Sequence, residues 1–281
     1  MLEIAQFRVD ERFASMLFSG SEGKRLGNSV RKVELETSDP RFKRIGELQS
    51  ELRLSKGKPF FYGWELTRRY SARELAEAEL LHVRITSVFE PAGEECGTKY
   101  DESIACHRCG AGAKQIGPLL LDVRGIPKGT DFAKTIGGEI VVSQRVAELF
   151  GRDGIRGVDL QPVRITRPTS VESRDWYQMV LRTAEAVIVP PTRVGNNPFD
   201  DDPKNEYRCP EGHIIGLNLL SEVSVSSATR GEADIIASRQ FIGVRRGLLR
   251  PERVILSSPK VRQLIDSEKL KGCEVEVAHL V

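Results

Sequence analysis

Apolar residues fall at helical spacing in a few stretches and alternate with polar ones in most others. Asp39-Pro40 suits an N-cap followed by the first helical position, and behind it Phe42, Ile45, Leu48 and Leu52 lie three or four apart. That pattern predicts a helix of about 14 residues ending before Gly57. Ser71-Ala72-Arg73-Glu74 is a capping box opening a short helix. Ser143 precedes Val146, Leu149 and Phe150, and Ser258-Pro259 opens another helical run. Aromatic content predicts a strand at residues 60–66, where Phe61, Tyr62 and Trp64 read as core rather than as a pocket lining. Alternation or apolar runs predict strands at residues 80–89, 116–123, 139–142, 158–165, from Tyr177 onward, 217–225, 254–256 and 272–281, and residues 234–244 form an apolar segment. Residues 1–38 predict no more than a short strand or helix near the start. The mixture predicts an α+β fold.

Two stretches share one plan of strand, serine cap, helix, turn, glycine and strand. At a constant offset of 115, Ser143 matches Ser258, Val146 matches Val261, Leu149 matches Leu264, Ile155 matches Leu270, Gly157 matches Gly272 and Leu160 matches Val275. An aspartate followed by apolar residues lies upstream of each (Asp131-Phe132 and Asp234-Ile235), and a cysteine turn lies further upstream. The register predicts two related halves that arose by duplication. The expected division is an N-terminal α+β region at 1–90, a first half at 91–190, a linker at 191–206 rich in Pro, Asn and Asp, and a second half at 207–281.

Composition narrows the function classes. The 281 residues are 40% hydrophobic and 29% charged, with a formal net charge of +2. Such a chain has the make-up of a soluble globular protein and no global pull toward nucleic acid or an anionic membrane. Glu3, Asp10 and Glu11 interrupt the start where a signal peptide would be apolar, and no apolar run approaches the ~20 residues of a membrane span. A cytoplasmic location is therefore expected. Five cysteines are too few for a disulfide scaffold, and a reducing compartment favours metal binding or free thiols.

The chemistry concentrates in two cysteine turns. Cys106-His107-Arg108-Cys109-Gly110 is a CxxC followed by glycine, and Cys209-Pro210-Glu211-Gly212-His213 offers a cysteine and a histidine four apart. Neither turn is a full tetrahedral site; Cys106, Cys109, Cys209 and His213 together supply the four N/S ligands of a closed structural zinc centre bridging the halves. Cys96 in place of His213 is the alternative set. A site closed by four protein ligands leaves no position for a reacting water, so it would be structural and not catalytic. Cys273, His82 and His279 lie in apolar strands and read as structural residues, and the His107 ring is expected to face solvent. The common phosphate-loop, dinucleotide, zinc-protease and nucleophile-elbow fingerprints are absent, so no enzyme is expected. Asp200, Asp201 and Asp202 read as a solvated loop rather than a cation site. Arg245, Arg246, Arg250 and Arg253 either grip a phosphate backbone or acidic partner, or form a solvated loop.

The sequence resembles the myxobacterial paralogous proteins named for a double CxxCG motif, and related immunity proteins of polymorphic toxin systems. Cys106-His107-Arg108-Cys109-Gly110, residues 131–157 and the glycine-led closing strand at Gly272 carry the likeness, which covers roughly residues 95–281. The second turn departs from the pattern, reading Cys209-Pro210-Glu211-Gly212-His213 in place of CxxCG. The resemblance implies a cytoplasmic, non-catalytic protein that binds and neutralises a cognate toxin. The alternative is a zinc-containing nucleic-acid-binding module using the arginine cluster; no membrane partner is expected.

Overall fold

The computed structural model describes residues 1–166, 171–200 and 206–281. Strands and helices mix throughout, so the fold is α+β. The chain forms two compact units, one of Met1–Leu75 with the short stretch around Phe199, the other of the remaining described residues.

The smaller unit runs β1 (Leu2–Asp10), α1 (Glu11–Ala14), β2 (Lys24–Leu26), β3 (Val30–Glu36), α2 (Pro40–Lys56) and β4 (Phe61–Arg69). Its antiparallel sheet has the order β2-β3-β1-β4. Asp39 caps α2 through Arg41 N at 2.9 Å, and Gly57 ends it in the left-handed region. The helix buries Ile45, Leu48 and Leu52 over Ala5, Phe7 and Val9. Phe199 stacks on Phe7 with centroids 5.9 Å apart. Gly46 makes room for it, since a Cβ there would lie 2.8 Å from the Phe199 ring. Phe61 is buried, Trp64 half-buried and Tyr62 exposed, its hydroxyl donating to Asp10 at 2.5 Å.

α3 (Ala72–Glu77) starts at the expected box: Ser71 N donates to Glu74, whose own N–H donates back to Ser71 Oγ. The larger unit continues with β5 (Leu80–Ile85), β6 (Val88–Phe89), β7 (Lys99–Asp101), β8 (Lys114–Ile116) and β9 (Leu120–Leu121). β10 (Phe132–Thr135), β11 (Ile140–Ser143), α4 (Gln144–Arg152), β12 (Val158–Ile165) and β13 (Val171–Leu181) follow. β14 (Val194–Gly195), β15 (Asn218–Leu219), β16 (Val223–Val225), β17 (Ile235–Ile242), β18 (Glu252–Ser257), α5 (Pro259–Ser267) and β19 (Cys273–Leu280) complete it.

Two sheets share a pattern. One has the order β6-β10-β11-β13-β12-β9, the other β16-β19-β5-β18-β17. In each, four antiparallel neighbours (β10-β11-β13-β12 and β17-β18-β5-β19) are extended by a parallel edge strand, β9 beside β12 and β16 beside β19. The counterpart of β13 in the second sheet is β5, from the other end of the unit. Contacts between the two plans are reciprocal. Asp131 accepts from Ser143 Oγ at 3.1 Å and Lys271 N at 3.0 Å; Asp234 accepts from Ser258 Oγ at 3.1 Å and Arg156 N at 3.0 Å. α4 buries Val146, Leu149 and Phe150, and α5 buries Val261, Leu264 and Ile265, in one apolar cluster. Each such side chain is worth about 1.5–3 kcal/mol on burial.

Several expectations need correction. Residues 116–123 are not one buried strand: exposed Ile116 ends β8, Gly117 turns left-handed, and Leu120–Leu121 pairs separately as β9 before a 3-10 turn. Residues 80–89 divide between two sheets as β5 and β6. The compact unit begins at Ala76 rather than 91, because β5 completes the sheet built by the C-terminal strands. The described part of the 191–206 stretch is tied down: Val194–Gly195 pairs with Asn218–Leu219, and Phe199 is anchored as above. Residues 167–170 and Asp201 and Asp202 of the acidic run lie outside the described residues.

Candidate metal centre

Each cysteine turn is shaped by its own backbone. Gly110 N donates to Cys106 O at 2.7 Å and Cys106 N to Ala111 O at 2.8 Å, which folds the CxxC tightly. Gly110 has a φ of +75°, and a Cβ there would meet Arg245 Cβ at 2.6 Å, so glycine serves both the turn and the close approach. In the second turn Gly212 N donates to Cys209 O at 2.8 Å and Cys209 N to His213 O at 2.9 Å. The strand region after β16 joins them: Arg245 N donates to Cys109 O at 2.8 Å, and Ile214 N to Phe241 O at 3.2 Å.

The turns bring Cys106, Cys109, Cys209 and His213 together, with one ligand atom from each lying within 4.8 Å of all the others. His213 Nδ1 is 3.5 Å from the sulfurs of both Cys109 and Cys209. A tetrahedral ion with bonds of about 2.3 Å to sulfur and about 2.0–2.1 Å to nitrogen sets such atoms about 3.5 Å apart. The four residues therefore lie close enough to hold a metal ion, and their spacing fits one. Cys109 and Cys209 are buried, and Ala111, Ile215, Phe241 and Val244 form an apolar collar. The Phe241 ring stands edge-on to His213.

The electrostatics also suit a cation. Backbone N–H groups of Cys109 and Arg108 bring the Cys106 thiol down to about 6. Burial, with the neighbouring thiols of Cys106 and Cys209, pushes Cys109 up to about 12. The two thiols of the CxxC are thus pushed in opposite directions, and a divalent cation would hold both as thiolates.

The alternative ligand is excluded from this cluster: the Cys96 thiol sits instead beside the backbone of Asp122 and the side chain of Thr166. Cys273 opens β19 against the apolar cluster, and burial pushes its thiol up to about 12. His107 is exposed, as expected. His82 is buried with Nδ1 3.8 Å from Glu276, and His279 is exposed and bonded to Glu222 at 2.8 Å.

The arginine cluster is mostly spent internally. Arg250 pairs with Glu94 at 2.8 Å and Glu102 at 2.7 Å and stacks 3.7 Å over the Tyr100 ring. Arg245 also pairs with both carboxylates, and Arg253 donates to the carbonyls of Ser238 and Arg239. Only Arg246 of the four is fully exposed. Sequence reasoning missed Glu94, Glu102 and Tyr100, which lie about 150 positions from the arginines they hold and carry no local signal. No family model matches the chain, and no curated protein matches it. Among the described residues no helix is long and apolar enough to cross a membrane.

Proposed function

We propose that Cys106, Cys109, Cys209 and His213 hold a structural zinc ion, and that the protein works by binding another protein rather than by catalysis. The observation that carries the zinc reading is the four-donor cluster, with His213 Nδ1 3.5 Å from two sulfurs. Zinc suits a mixed thiolate and imidazole set at tetrahedral spacing, and four protein ligands close the ion to water. The ion would staple two turns about a hundred residues apart. The matching sheet patterns and reciprocal aspartates support the reading that the halves arose by duplication.

The partner class follows from the resemblance to double-CxxCG and immunity proteins, and the occupant we infer is a cognate toxin bound in the cytoplasm. Pairing of Arg245 and Arg250 with Glu94 and Glu102 favours this over the nucleic-acid module, since those cations are already neutralised. Co-expression with the neighbouring gene, followed by affinity capture and mass spectrometry, tests it. A stoichiometric complex with a toxin-like protein is the expected result; co-purifying nucleic acid, released by raised salt, would overturn it.

A further inference from the structure

The larger unit contains a cavity of about 490 Å³ that the metal centre does not use. This lies within the range of small-molecule sites, about 300–1,000 Å³. Val83, Ile85, Ile140, Met179, Leu181 and Ile255 give it apolar walls.

Its ionised lining is nearly self-neutralising. Lys134 pairs with Glu252 at 2.6 Å, Arg84 with Glu276 at 2.8 Å, and Arg250 with Glu94 and Glu102. Two lining groups differ. Glu139 is buried, with 7% of its surface exposed, and its oxygens accept from the Tyr100 hydroxyl at 2.5 Å and from the Thr135 hydroxyl. Among the described residues no cationic side chain pairs with it. Burial pushes the Tyr100 phenol upward, with the Glu139 carboxylate adding to the effect, so the phenol remains a donor. Arg253 stacks 3.9 Å over the Phe241 ring and donates from Nη1 to the carbonyls of Ser238 at 2.6 Å and Arg239 at 2.7 Å. Among the described residues no carboxylate pairs with it.

A buried charge without a counter-ion is costly, and the cavity lining carries one of each sign, Glu139 buried and Arg253 half-buried. We propose that the cavity binds a small zwitterion, a free α-amino acid or a short peptide, with its ammonium group at Glu139, its carboxylate at Arg253 and its side chain on the apolar walls. Backbone length between the two termini distinguishes the sources.

The test is calorimetry on the full, metal-loaded chain with L-leucine, Ala-Leu and Ala-Ala-Leu as probes at millimolar concentration. Binding of one of them is expected, and its length identifies the source. Blocking either terminus of the bound probe, as the N-acetyl or the amide form, should weaken it about 30-fold or more, as expected for truncating one partner of a buried charge pair. Glu139→Gln should cost affinity for the parent probe but little for the N-acetyl form; Arg253→Gln should do the same with the amide form. The blocked probes keep the test valid on the unaltered chain if either variant fails to fold. Absence of binding by all three probes, or equal binding of the blocked forms, would overturn the proposal.

Discussion

Cys106 and Cys109 stand three positions apart, yet their surroundings pull their thiols in opposite directions. In chelator-stripped protein at about pH 7, Cys106 should be alkylated by iodoacetamide well before Cys109 or Cys273, because backbone N–H groups bring its thiol down while burial pushes the other two up. Mass mapping of the labelled peptides checks the order, and restoring the metal should protect Cys106. Cys273 gives a prediction of opposite kind. Its folded value, about 12, lies above the ordinary thiol value of about 8.5, so its contribution is fully present below that value and is lost as pH rises toward 12. Urea denaturation at about pH 7 and about pH 10 should show the advantage of the native chain over Cys273→Ala shrinking at the higher pH. The donors at Cys106, Cys109, Cys209 and His213 were legible at this scale, because spacing along the chain sets the shape of a turn. The sequence put His213 ahead of Cys96 but left Cys96 open as the alternative, because which of them joins the cluster depends on which turn folds back onto the CxxC. The partners of Arg245 and Arg250 were illegible for the same reason.

Among the elements, those with caps and helical spacing were the readable ones. α2, α4 and α5 sit where Asp39, Ser143 and Ser258 placed them, since cap and apolar face are both local. β1 was read only as a short strand or helix near the start, and β3 went unread. In β3 the buried Arg31 breaks the apolar alternation, and its ion pair with Glu11 at 2.6 Å, with donation to the Ser19 carbonyl at 2.6 Å, allows the burial. The paired glycines give the sharpest test of the two-plan geometry. A Cβ on Gly157 would lie 1.8 Å from Ile235 O, and one on Gly272 1.9 Å from Phe132 O, both at positive φ. Gly157→Ala and Gly272→Ala should each cost about 2–4 kcal/mol. Gly154→Ala, also at positive φ but with open space around it, should cost about 1 kcal/mol. Urea midpoints of the three variants read the difference; equal losses would mean that the close approach to the neighbouring plan is unimportant.

For the whole molecule, the α+β class could be read from the sequence, because it rests on short, ordered patterns. The role of β5 could not, because a strand's sheet partners are set by long-range packing. Nor could the cavity, which draws on strands from both of the larger sheets and from β7 and β8. A metal that clamps turns a hundred residues apart stabilises the folded chain by linkage, about 2.7 kcal/mol at a hundred times its dissociation constant. Stripping it should therefore lower Tm by roughly 5–10 °C, reversibly on adding zinc. Metal analysis by plasma mass spectrometry, on protein purified without chelator or affinity nickel, tests the zinc centre most directly. The predicted result is one equivalent of zinc per chain in the native protein, lost in Cys209→Ser and in His213→Ala. A native chain free of zinc, with the thiols of Cys106, Cys109 and Cys209 all open to alkylation, would contradict it.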